Sequence, residues 1–336
     1  MLVLTNFRRF PERWTTSSGI TGRALMMTRV SEFFRHSREA DLIIVNCDVG
    51  ITLWLSAFYL LFPRLRRPIL SHDIVLRKPL SLRAKLTAPI KRFLLSRIDH
   101  FSLHFTNLDG YRKHFGIAPD RASYVPSKPN IRYRYQYPVS PDGEYILCFG
   151  RSERDYDTFF AAMEQLSELP AAVPFPNFDQ FQKHATRFNR PLDALPKNVR
   201  ILKDDGSVES LIRIIERARL IVLPIVSSRI APSGIGTYLN AMLMGKCVIT
   251  SNGVGTTDVL THGEALLVDS ESPDALAQMI RRAWSNDELR LRTAEIGRLY
   301  SEGCGGEPEL RQKVLDLAIG VLFPVGGPTR TPKRTY

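Results

Sequence analysis

The sequence predicts an α/β protein built from two doubly wound, Rossmann-like domains that face each other across a cleft. Short, β-rich apolar runs alternate with helical patterns along most of the 336 residues. The runs are continuous rather than alternately polar, which is typical of parallel strands buried on both faces. One break in composition interrupts this alternation near residue 138. A chain of this length can form two domains with separate cores.

The candidate strands form two groups of five. The first half contains LVLT, DLIIVN, PILSH, HFSLHF and ASYVP, and the second contains YILCFG, NVRIL, RLIVLP, KCVITS and EALLV. Between them, SKPNIRYRYQYPVSPDGEY lacks core periodicity and ends in a Pro-Asp-Gly turn. We therefore predict an N-terminal Rossmann-like domain over 1–138 and a C-terminal Rossmann-like domain over 139–320. The basic, Pro/Gly-rich segment 321–336 is predicted to be a disordered tail.

The composition argues against several classes of protein. The chain has 44% hydrophobic and 24% charged residues, as globular proteins do. Its four cysteines lie far apart without a CxxC pair, which predicts free thiols rather than a zinc site or disulfides. The apolar run VGITLWLSAFYLLFP is shorter than the about 20 residues of a membrane-spanning helix. We predict a buried helix over 51–62, with a helix lying in the membrane interface as the alternative. The apolar run at the start of the sequence, in MLVLTNFRRF, is too short for a signal peptide.

The basic residues are concentrated in the first half of the chain. Residues 1–140 contain 23 Lys and Arg against 9 Asp and Glu, whereas the remainder contains 23 against 25. This asymmetry predicts an anionic partner for the first half, such as a membrane surface or a phosphorylated substrate. A merely solvated basic face is the alternative. Nucleic acid is disfavoured, because the basic residues lack interleaved aromatics and a recognisable binding module.

The segment RKPLSLRAKLTAPIKRFLLSRIDHF, residues 77–101, combines positive charge with an apolar stripe. Pro89 is expected to break or restart its helix. Basic side chains beside an apolar face are typical of helices that bind anionic membranes. A core helix with a solvated face fits the pattern equally well. The stripe consists of Leu82, Leu86, Ile90, Phe93 or Leu94, and Ile98.

The stretch APSGIGTYLNAMLMGKCVITSNGVGTTDVL, residues 231–260, has the clearest chemical signal. A buried strand leads into a glycine loop at 233–236, which opens a helix over 237–244. Unpaired N–H groups at a helix start bind anions, and glycines let a phosphate oxygen approach the backbone. A second glycine loop at 252–255 follows the next strand. Together the two loops predict a site for a ligand with a diphosphate group.

With these motifs, residues of about 145–300 resemble the donor-binding half of the GT-B glycosyltransferases of the retaining group 1 family. The resemblance rests on SGIG, on AMLMGKCVI, on EALLVDSESPDALA and on ILCFGRSERDY upstream. In residues 1–140 it is confined to ILSHD and RASYVP. It implies a hexosyltransferase-type enzyme that moves a sugar from a nucleotide-diphospho-sugar to a glycan or a polyprenyl-diphosphate-linked acceptor, in surface polysaccharide synthesis. It also implies a cytoplasmic protein at the inner face of the membrane, with neither metal nor cofactor.

The resemblance also assigns roles to individual residues. Arg154 would supply the positive charge of a lysine that the family has in this loop, and His72 would face the donor sugar. The family's paired carboxylates fall on Ser233 and Asn240, which are uncharged; Asn240 can still bind ribose hydroxyls. The implied catalytic residues are His72, Arg151 and Arg154, and the implied donor-binding residues are Gly150, Ser233, Gly234, Ile235, Gly236, Thr237 and Asn240.

Three further interpretations follow from the same residues. The missing carboxylates favour, as the main alternative, a catalytically silent GT-B homologue that binds a partner or a glycan. A nucleotide-sugar epimerase is a third possibility and would require buried carboxylates in the cleft. The sequence Asp155-Tyr156-Asp157 spells the DxD metal signature of the other glycosyltransferase architecture. We interpret it as the acidic start of a helix, because acids stabilise helix N-termini, and predict no metal.

Overall fold

The computed structural model of the chain describes residues 1–132, 134–174, 177–227 and 229–324. The chain divides into two compact units. The first unit comprises Met1–Pro126 together with the segment from Pro308 onwards, and the second comprises Ser127–Glu307. Each unit contains one sheet covered by helices, as predicted for a pair of Rossmann-like domains.

The sheet of the first unit has the strand order β2-β3-β1-β4-β5-β6-β7. All neighbouring strands are parallel except β2 and β3, which form an antiparallel pair at one edge. The carboxyl ends of the parallel strands therefore meet at one edge of the sheet, where α/β folds bind ligands. The strands are β1 (Leu2–Thr5), β2 (Arg13–Thr15), β3 (Thr21–Met26), β4 (Leu42–Asn46), β5 (Ile69–His72), β6 (His100–Leu103) and β7 (Ala122–Tyr124).

Four helices connect these strands: α1 (Val30–His36), α2 (Val49–Leu61), α3 (Leu82–Leu95) and α4 (Asp109–Phe115). The last helix of the chain, α11 (Glu307–Leu322), also belongs to this unit over most of its length. Its residues Val314 and Ile319 are buried in one apolar cluster with Val3 and Leu42 of the sheet. In addition, the backbone N–H and the hydroxyl of Ser17 donate to the Asp316 carboxylate, at 2.9 Å and 2.6 Å.

The sheet of the second unit has the order β10-β9-β8-β11-β12-β13 and is parallel throughout. Its strands are β8 (Tyr145–Cys148), β9 (Ala171–Pro174), β10 (Val199–Leu202), β11 (Ala218–Leu223), β12 (Cys247–Ser251) and β13 (Leu266–Val268). The helices are α5 (Tyr156–Glu164), α6 (Phe178–Lys183), α7 (Val208–Glu216), α8 (Ile235–Leu243), α9 (Pro273–Ser285) and α10 (Asp287–Cys304).

Successive residues of a strand point to opposite faces, which explains the continuous apolar runs of this sheet. Ile146 of β8 belongs to the core beneath α5 and α9, whereas Leu147 belongs to the core beneath α7 and α8. Since both faces are covered, the central strands β8, β11 and β12 are apolar at most positions. Two separate cores thereby hold β8, β11 and β12 at the centre of the sheet.

The observed division of the chain differs from the predicted one in position. The boundary lies at residues 126 and 127 rather than 138, because Asn130 and Ile131 pack against α8 and the core of the second unit. The chain then returns to the first unit at Pro308 rather than continuing in the second to residue 320. In the segment predicted as a tail, Val321 and Leu322 end α11, and residues 325–336 lie outside the described residues.

The helices α2 and α3 expose a large apolar area, which we call the α2–α3 surface. The predicted stripe on α3 faces solvent: the exposed fractions of Leu82, Leu86, Ile90 and Phe93 are 75%, 68%, 60% and 56%. Its predicted end, Ile98, is buried instead. Pro89 lies inside a continuous α3 and does not interrupt it.

The helix α2, for which we predicted a buried helix over 51–62, is buried on one side only. Leu55 and Tyr59 face the core, while Trp54 and Leu61 are 64% and 76% exposed. In the part of the chain that the structure describes, no helix has the length and apolar content needed to cross a bilayer. The α2–α3 surface is therefore an apolar area at the protein surface that requires an explanation of its own.

Candidate functional site

The start of α8 in the second unit is a cluster of polar backbone groups. Gly234 caps the helix with a left-handed backbone, φ +83°, a conformation that glycine adopts without strain. The carbonyl of Gly234 accepts hydrogen bonds from the N–H groups of Thr237 and Tyr238, both at 2.9 Å. Among the described residues, no protein acceptor is found for the N–H groups of Ile235 and Gly236. These two groups lie at the positive end of the helix dipole and can bind an anion.

The guanidinium of Arg154 lies between this turn and the loop that follows β8. It donates to the carbonyl of Phe149 at 3.0 Å and to the carbonyl of Ser152 at 3.1 Å. A third bond, of 3.1 Å, goes to the hydroxyl of Thr237 on the first turn of α8. Arg154 therefore connects the two predicted donor-binding loops.

Glycines on both sides make room for this side chain. A Cβ atom at Gly150 would lie 2.5 Å from Arg154 Nε, and one at Gly234 would lie 2.7 Å from Nη2. Both distances are shorter than real Cβ contacts allow, so any larger residue would displace the guanidinium. The two glycines of the predicted loops thus also have a steric role beside the arginine.

Arg154 is a buried cation without a buried counter-charge. The side chain is 1% exposed, and across residues 1–132, 134–174, 177–227 and 229–324 no carboxylate lies within ion-pair distance of it. Burial lowers the pKa of its guanidinium from the ordinary value. Because an isolated buried charge is costly, such a group is stabilised when an anion binds nearby.

The loop between β8 and α5 places a second arginine at the surface. Arg151 is exposed, and its backbone carbonyl accepts a 2.6 Å hydrogen bond from the hydroxyl of Thr186. Gly150 just before it has φ +124°, and its carbonyl accepts a hydrogen bond of 3.0 Å from Tyr156 Oη. The loop is therefore fixed through its backbone, while the Arg151 guanidinium stays accessible to a ligand.

Ser233 and Asn240, at the positions of the family's carboxylates, hold protein segments in place. The hydroxyl of Ser233 donates to the carbonyl of Ser152 at 2.9 Å, which links the two glycine-containing loops a second time. The Oδ1 atom of Asn240 accepts a 2.7 Å hydrogen bond from the backbone N–H of Asn130. Asn240 is buried, so ribose recognition through this amide, which the resemblance implied, would have only its Nδ2 group.

The second glycine loop lies against the first. A Cβ atom at Gly255 would be 2.4 Å from Cβ of Pro232, and the Gly255 carbonyl accepts a hydrogen bond from Tyr238 Oη. A small pocket opens beside it, between the segments 225–233 and 251–256, and Ser233 contributes to its lining. Arg229 also lines this pocket and forms an ion pair with the buried Glu153.

Sequence reasoning had missed this ion pair. Glu153 and Arg229 lie far apart in the sequence and belong to no motif, so residue spacing offered no signal for their pairing. The structure places the Glu153 backbone at φ +63° and buries its carboxylate.

The remaining predicted catalytic residue lies in the first unit. His72 ends β5, is 1% exposed and interacts through Nδ1 with the hydroxyl of Ser102 at 3.0 Å. Its ring stacks on Phe7 with a centroid distance of 5.5 Å and meets the ring of His104 edge-on at 5.0 Å. Burial, together with the neighbouring His104, lowers the pKa of His72 well below its ordinary value. The imidazole is therefore neutral at physiological pH and can act as a hydrogen-bonding group.

The Asp155-Tyr156-Asp157 sequence has the structural role that we predicted. Asp155 is the N-cap of α5, and its carboxylate accepts the backbone N–H of Thr158 at 3.2 Å and the Thr158 hydroxyl at 2.9 Å. Within the described residues, no three His, Cys, Asp or Glu side chains are arranged to hold a metal ion.

The two largely parallel sheets, one in each unit, define the class of fold as GT-B. Residues 144–286 match the family model described as "Glycosyl transferases group 1". This part of the second unit is therefore similar to a glycosyl transferases group 1 domain, and the chain as a whole has the GT-B fold. A comparison with curated protein sequences gave no significant match.

Solved structures share the fold at low sequence identity. HepE (Alr3699) from Anabaena, in complex with UDP and glucose, has a TM-score of 0.63 at 16% identity, covering 86% of this chain and 80% of its own. Sucrose-phosphate synthase from Thermosynechococcus elongatus has a TM-score of 0.63 at 16% identity, covering 96% and 88%. A glycosyltransferase from Rickettsia africae has a TM-score of 0.60 at 14% identity, covering 90% and 86%.

Proposed function

We propose that this chain is a glycosyltransferase whose donor is a nucleotide-diphospho-sugar, bound by its diphosphate at the start of α8. The observation that carries the proposal is the guanidinium of Arg154, buried between Gly150 and Gly234 without a carboxylate partner among the described residues. The unpaired N–H groups of Ile235 and Gly236 supply further positive partial charge at the same turn.

This arrangement suits the chemistry of glycosyl transfer. As the bond between the sugar and the diphosphate breaks, negative charge builds up on the departing nucleoside diphosphate. Helix N–H groups held by the fold, with Arg154 behind them and Arg151 at the surface, would stabilise that charge without reorganising. These groups would supply the positive charge that a metal ion would otherwise bring to the departing diphosphate, so we propose that none is needed. We therefore expect the reaction to persist in a metal chelator.

We further propose a uridine diphosphate sugar, a hexose, as the donor, and retention of configuration at its reacting carbon. HepE, which shares the fold, is described in complex with UDP and with UDP-glucose. Retention is an extension of the family resemblance. Ser233 and Asn240 are uncharged, but this is compatible with glycosyl transfer from such a donor. The positive charge that stabilises the leaving group would come from Arg154 and the helix dipole.

The α2–α3 surface supports a membrane location for the acceptor. Leu82, Leu86, Ile90 and Phe93 project from α3, and exposed basic residues adjoin them at Arg83, Lys85, Arg92 and Arg97. An apolar face bordered by positive charge is complementary to anionic lipid head groups above an acyl layer. We propose that this surface docks on an anionic bilayer and that the acceptor is a glycan or a polyprenyl-diphosphate-linked sugar. Surface polysaccharide synthesis at the inner face of the membrane is the corresponding role.

The experiment that tests the donor proposal is calorimetric titration with UDP, GDP and ADP, followed by assays of the matching nucleotide-sugars for release of nucleotide. We expect saturable binding of UDP, and release of UDP from UDP-glucose in the presence of acceptor lipid extract. Binding of none of the three nucleotides would favour the alternative, a catalytically silent homologue. An epimerase would instead convert the donor sugar without releasing nucleotide.

A further inference from the structure

A short segment after α6, residues 184–187, pairs with the loop between β8 and α5. The backbone N–H of Glu153 donates to the carbonyl of His184 at 3.0 Å. The N–H of Arg187 donates to the carbonyl of Arg154 at 2.8 Å. The pairing is parallel in direction, and it reaches the part of the loop that contains the buried arginine of the candidate site.

The hydroxyl of Thr186 joins the two ends of a turn in this loop, which we call the 151–154 turn. The hydroxyl donates to the carbonyl of Arg151 at 2.6 Å and accepts the backbone N–H of Arg154 at 3.3 Å. A hydroxyl can donate one hydrogen bond and accept another at the same time, which no apolar side chain of the same shape can do. Thr186 therefore closes the turn from outside it.

The 151–154 turn depends on outside contacts because its backbone is strained. Glu153 has a left-handed conformation, φ +63°, and Ala185, directly before Thr186, has φ +53°. Such conformations are uncommon for these residue types and persist where the surrounding contacts hold them. Without the Thr186 hydroxyl, we expect the turn to relax towards ordinary φ values.

The positions of two arginines depend on the form of this turn. The guanidinium of Arg154 donates to the carbonyl of Ser152 inside the turn and to that of Phe149 just before it. The exposed side chain of Arg151 leaves the turn at its first residue. A relaxed turn would therefore displace both arginines, and Arg154 would lose its 3.1 Å hydrogen bond to the hydroxyl of Thr237 on α8.

The segment that contains Thr186 is itself anchored on both sides. Before it, the buried ring of Phe181 stacks on Tyr156 with a centroid distance of 5.3 Å. After it, the guanidinium of Arg187 pairs with the carboxylates of Asp155, at 3.4 Å, and Glu271, at 2.8 Å. Because these contacts do not involve the Thr186 hydroxyl, the hydroxyl can fix the turn rather than follow it.

We propose that Thr186 is a positioning residue of the donor site, whose hydroxyl holds the 151–154 turn in the form in which Arg151 and Arg154 bind a diphosphate. The inference rests on the proposed binding of a nucleotide-diphospho-sugar by this chain. Thr186 acts on the ligand only through the two arginines. Its loss should therefore weaken binding of the phosphates and leave binding of the nucleoside unchanged.

Two substitutions separate the hydroxyl from the rest of the side chain. Thr186→Val keeps the shape and removes both hydrogen bonds, whereas Thr186→Ser keeps the hydroxyl. The matched control is Thr261→Val, since Thr261 is an exposed threonine of the same unit. Urea unfolding verifies that all three variants are folded under the conditions of the binding measurements.

The first measurement is isothermal titration calorimetry with UDP and with uridine. We expect UDP to bind Thr186→Val about 5-fold or more weakly than the wild type, as for the loss of one or two hydrogen bonds. Thr186→Ser and Thr261→Val should bind UDP like the wild type. Uridine should bind all four proteins equally, because it has no phosphate for the arginines to contact.

The second measurement is hydrogen exchange of the Arg154 amide in the protein without nucleotide. This amide donates to the Thr186 hydroxyl, so it should exchange about 5-fold or more faster in Thr186→Val than in the wild type. Thr186→Ser should restore the slow exchange. A loss of global stability alone would instead speed up the exchange of amides throughout the unit and would leave the affinity for UDP unchanged.

The inference is overturned if folded Thr186→Val binds UDP as tightly as Thr261→Val, or if its Arg154 amide exchanges as slowly as in the wild type. Equal weakening of UDP binding in Thr186→Ser would also overturn it, because the methyl group rather than the hydroxyl would then be responsible. Failure of UDP to bind the wild type would instead count against the proposed donor site, and the exchange rates would then decide whether Thr186 holds the turn.

Discussion

Replacement of Arg154 with methionine should weaken nucleotide diphosphate binding while leaving the protein folded. The substitution keeps an unbranched apolar stem between Gly150 and Gly234 and removes only the cationic end. It loses three hydrogen bonds, to Phe149, Ser152 and Thr237. Each is worth about 1 kcal/mol of folding free energy, and removal of an uncompensated buried charge offsets this loss. We therefore expect the free energy of unfolding to change by less than about 2 kcal/mol.

The effect on binding is larger because Arg154 is a buried cation against the glycine turn and has no carboxylate partner among the described residues. A phosphate on the far side of the glycine backbone would lie about 6 Å from the guanidinium, and an effective dielectric constant of about 20 gives about 3 kcal/mol of attraction per unit charge. With allowance for screening by solvent and salt, the dissociation constant of UDP should rise about 10- to 100-fold. Uridine, which has no phosphate, should bind both proteins equally weakly.

The assay is isothermal titration calorimetry with UDP and uridine at fixed ionic strength, with urea unfolding as the stability measurement. Arg217→Met is the matched control, since Arg217 is an exposed arginine of the same unit whose guanidinium pairs with Glu144. Its UDP affinity should equal that of the wild type. An Arg154→Met protein that unfolds normally and binds UDP as tightly as Arg217→Met would refute the electrostatic role of Arg154.

Three further predictions concern other parts of the molecule. Gly234→Ala should impair UDP binding, because the added Cβ would lie 2.7 Å from Arg154 Nη2. Gly206→Ala is the control: the φ of Gly206 is similar, +76°, but its added Cβ would meet no atom within 4 Å. This control should lower the free energy of unfolding by about 1 kcal/mol and leave the UDP affinity unchanged. Burial lowers the pKa of Lys246 from 10.5 to about 8. Between these two pH values the unfolded chain binds more protons than the folded one, so the free energy of unfolding should rise with pH. The midpoint of urea unfolding should show this rise in the wild type but not in Lys246→Met. Leu86→Glu should reduce co-sedimentation with phosphatidylserine vesicles several-fold, and an unchanged bound fraction would count against membrane docking.

The strands of the fold were largely predictable, because a buried parallel strand leaves a continuous apolar run in the sequence. All ten candidate runs contain a strand of the structure. The strands β2, β3 and β9 were missed for identifiable reasons. Two of them leave little buried apolar sequence: Arg13–Thr15 is exposed at two of its three residues, and Thr21–Met26 has one buried residue among six. Ala171–Pro174 is built on alanines that match no strand pattern.

The sequence of α3 could not show whether its apolar stripe faces the core or the solvent. The same stripe of apolar residues on α3 could face a core or solvent, and only the packing of α3 shows that it faces solvent. Nor could the return of α11 to the first unit be predicted, since its apolar residues fit either core. The contacts of Leu310 and Val314 with the first sheet are long-range, and hydrophobic periodicity contains no information about them.

At the candidate site, the sequence identified the loops but not the contacts within them. The glycines at 150, 234 and 236 indicated close approach of the backbone to a ligand. The structure buries Arg154, which was predicted to supply positive charge there, against Gly150 and Gly234, an arrangement that no spacing rule predicts.

The most direct measurement of the central claim is the response of the backbone amides to a diphosphate. In ¹⁵N-resolved spectra of the wild type titrated with UDP, the amide signals of Ile235 and Gly236 should shift most, and the shifts should be strongly reduced in Arg154→Met at the same UDP concentration. Saturable UDP binding that leaves these two amides unchanged, or that shifts them equally in both proteins, would contradict the account.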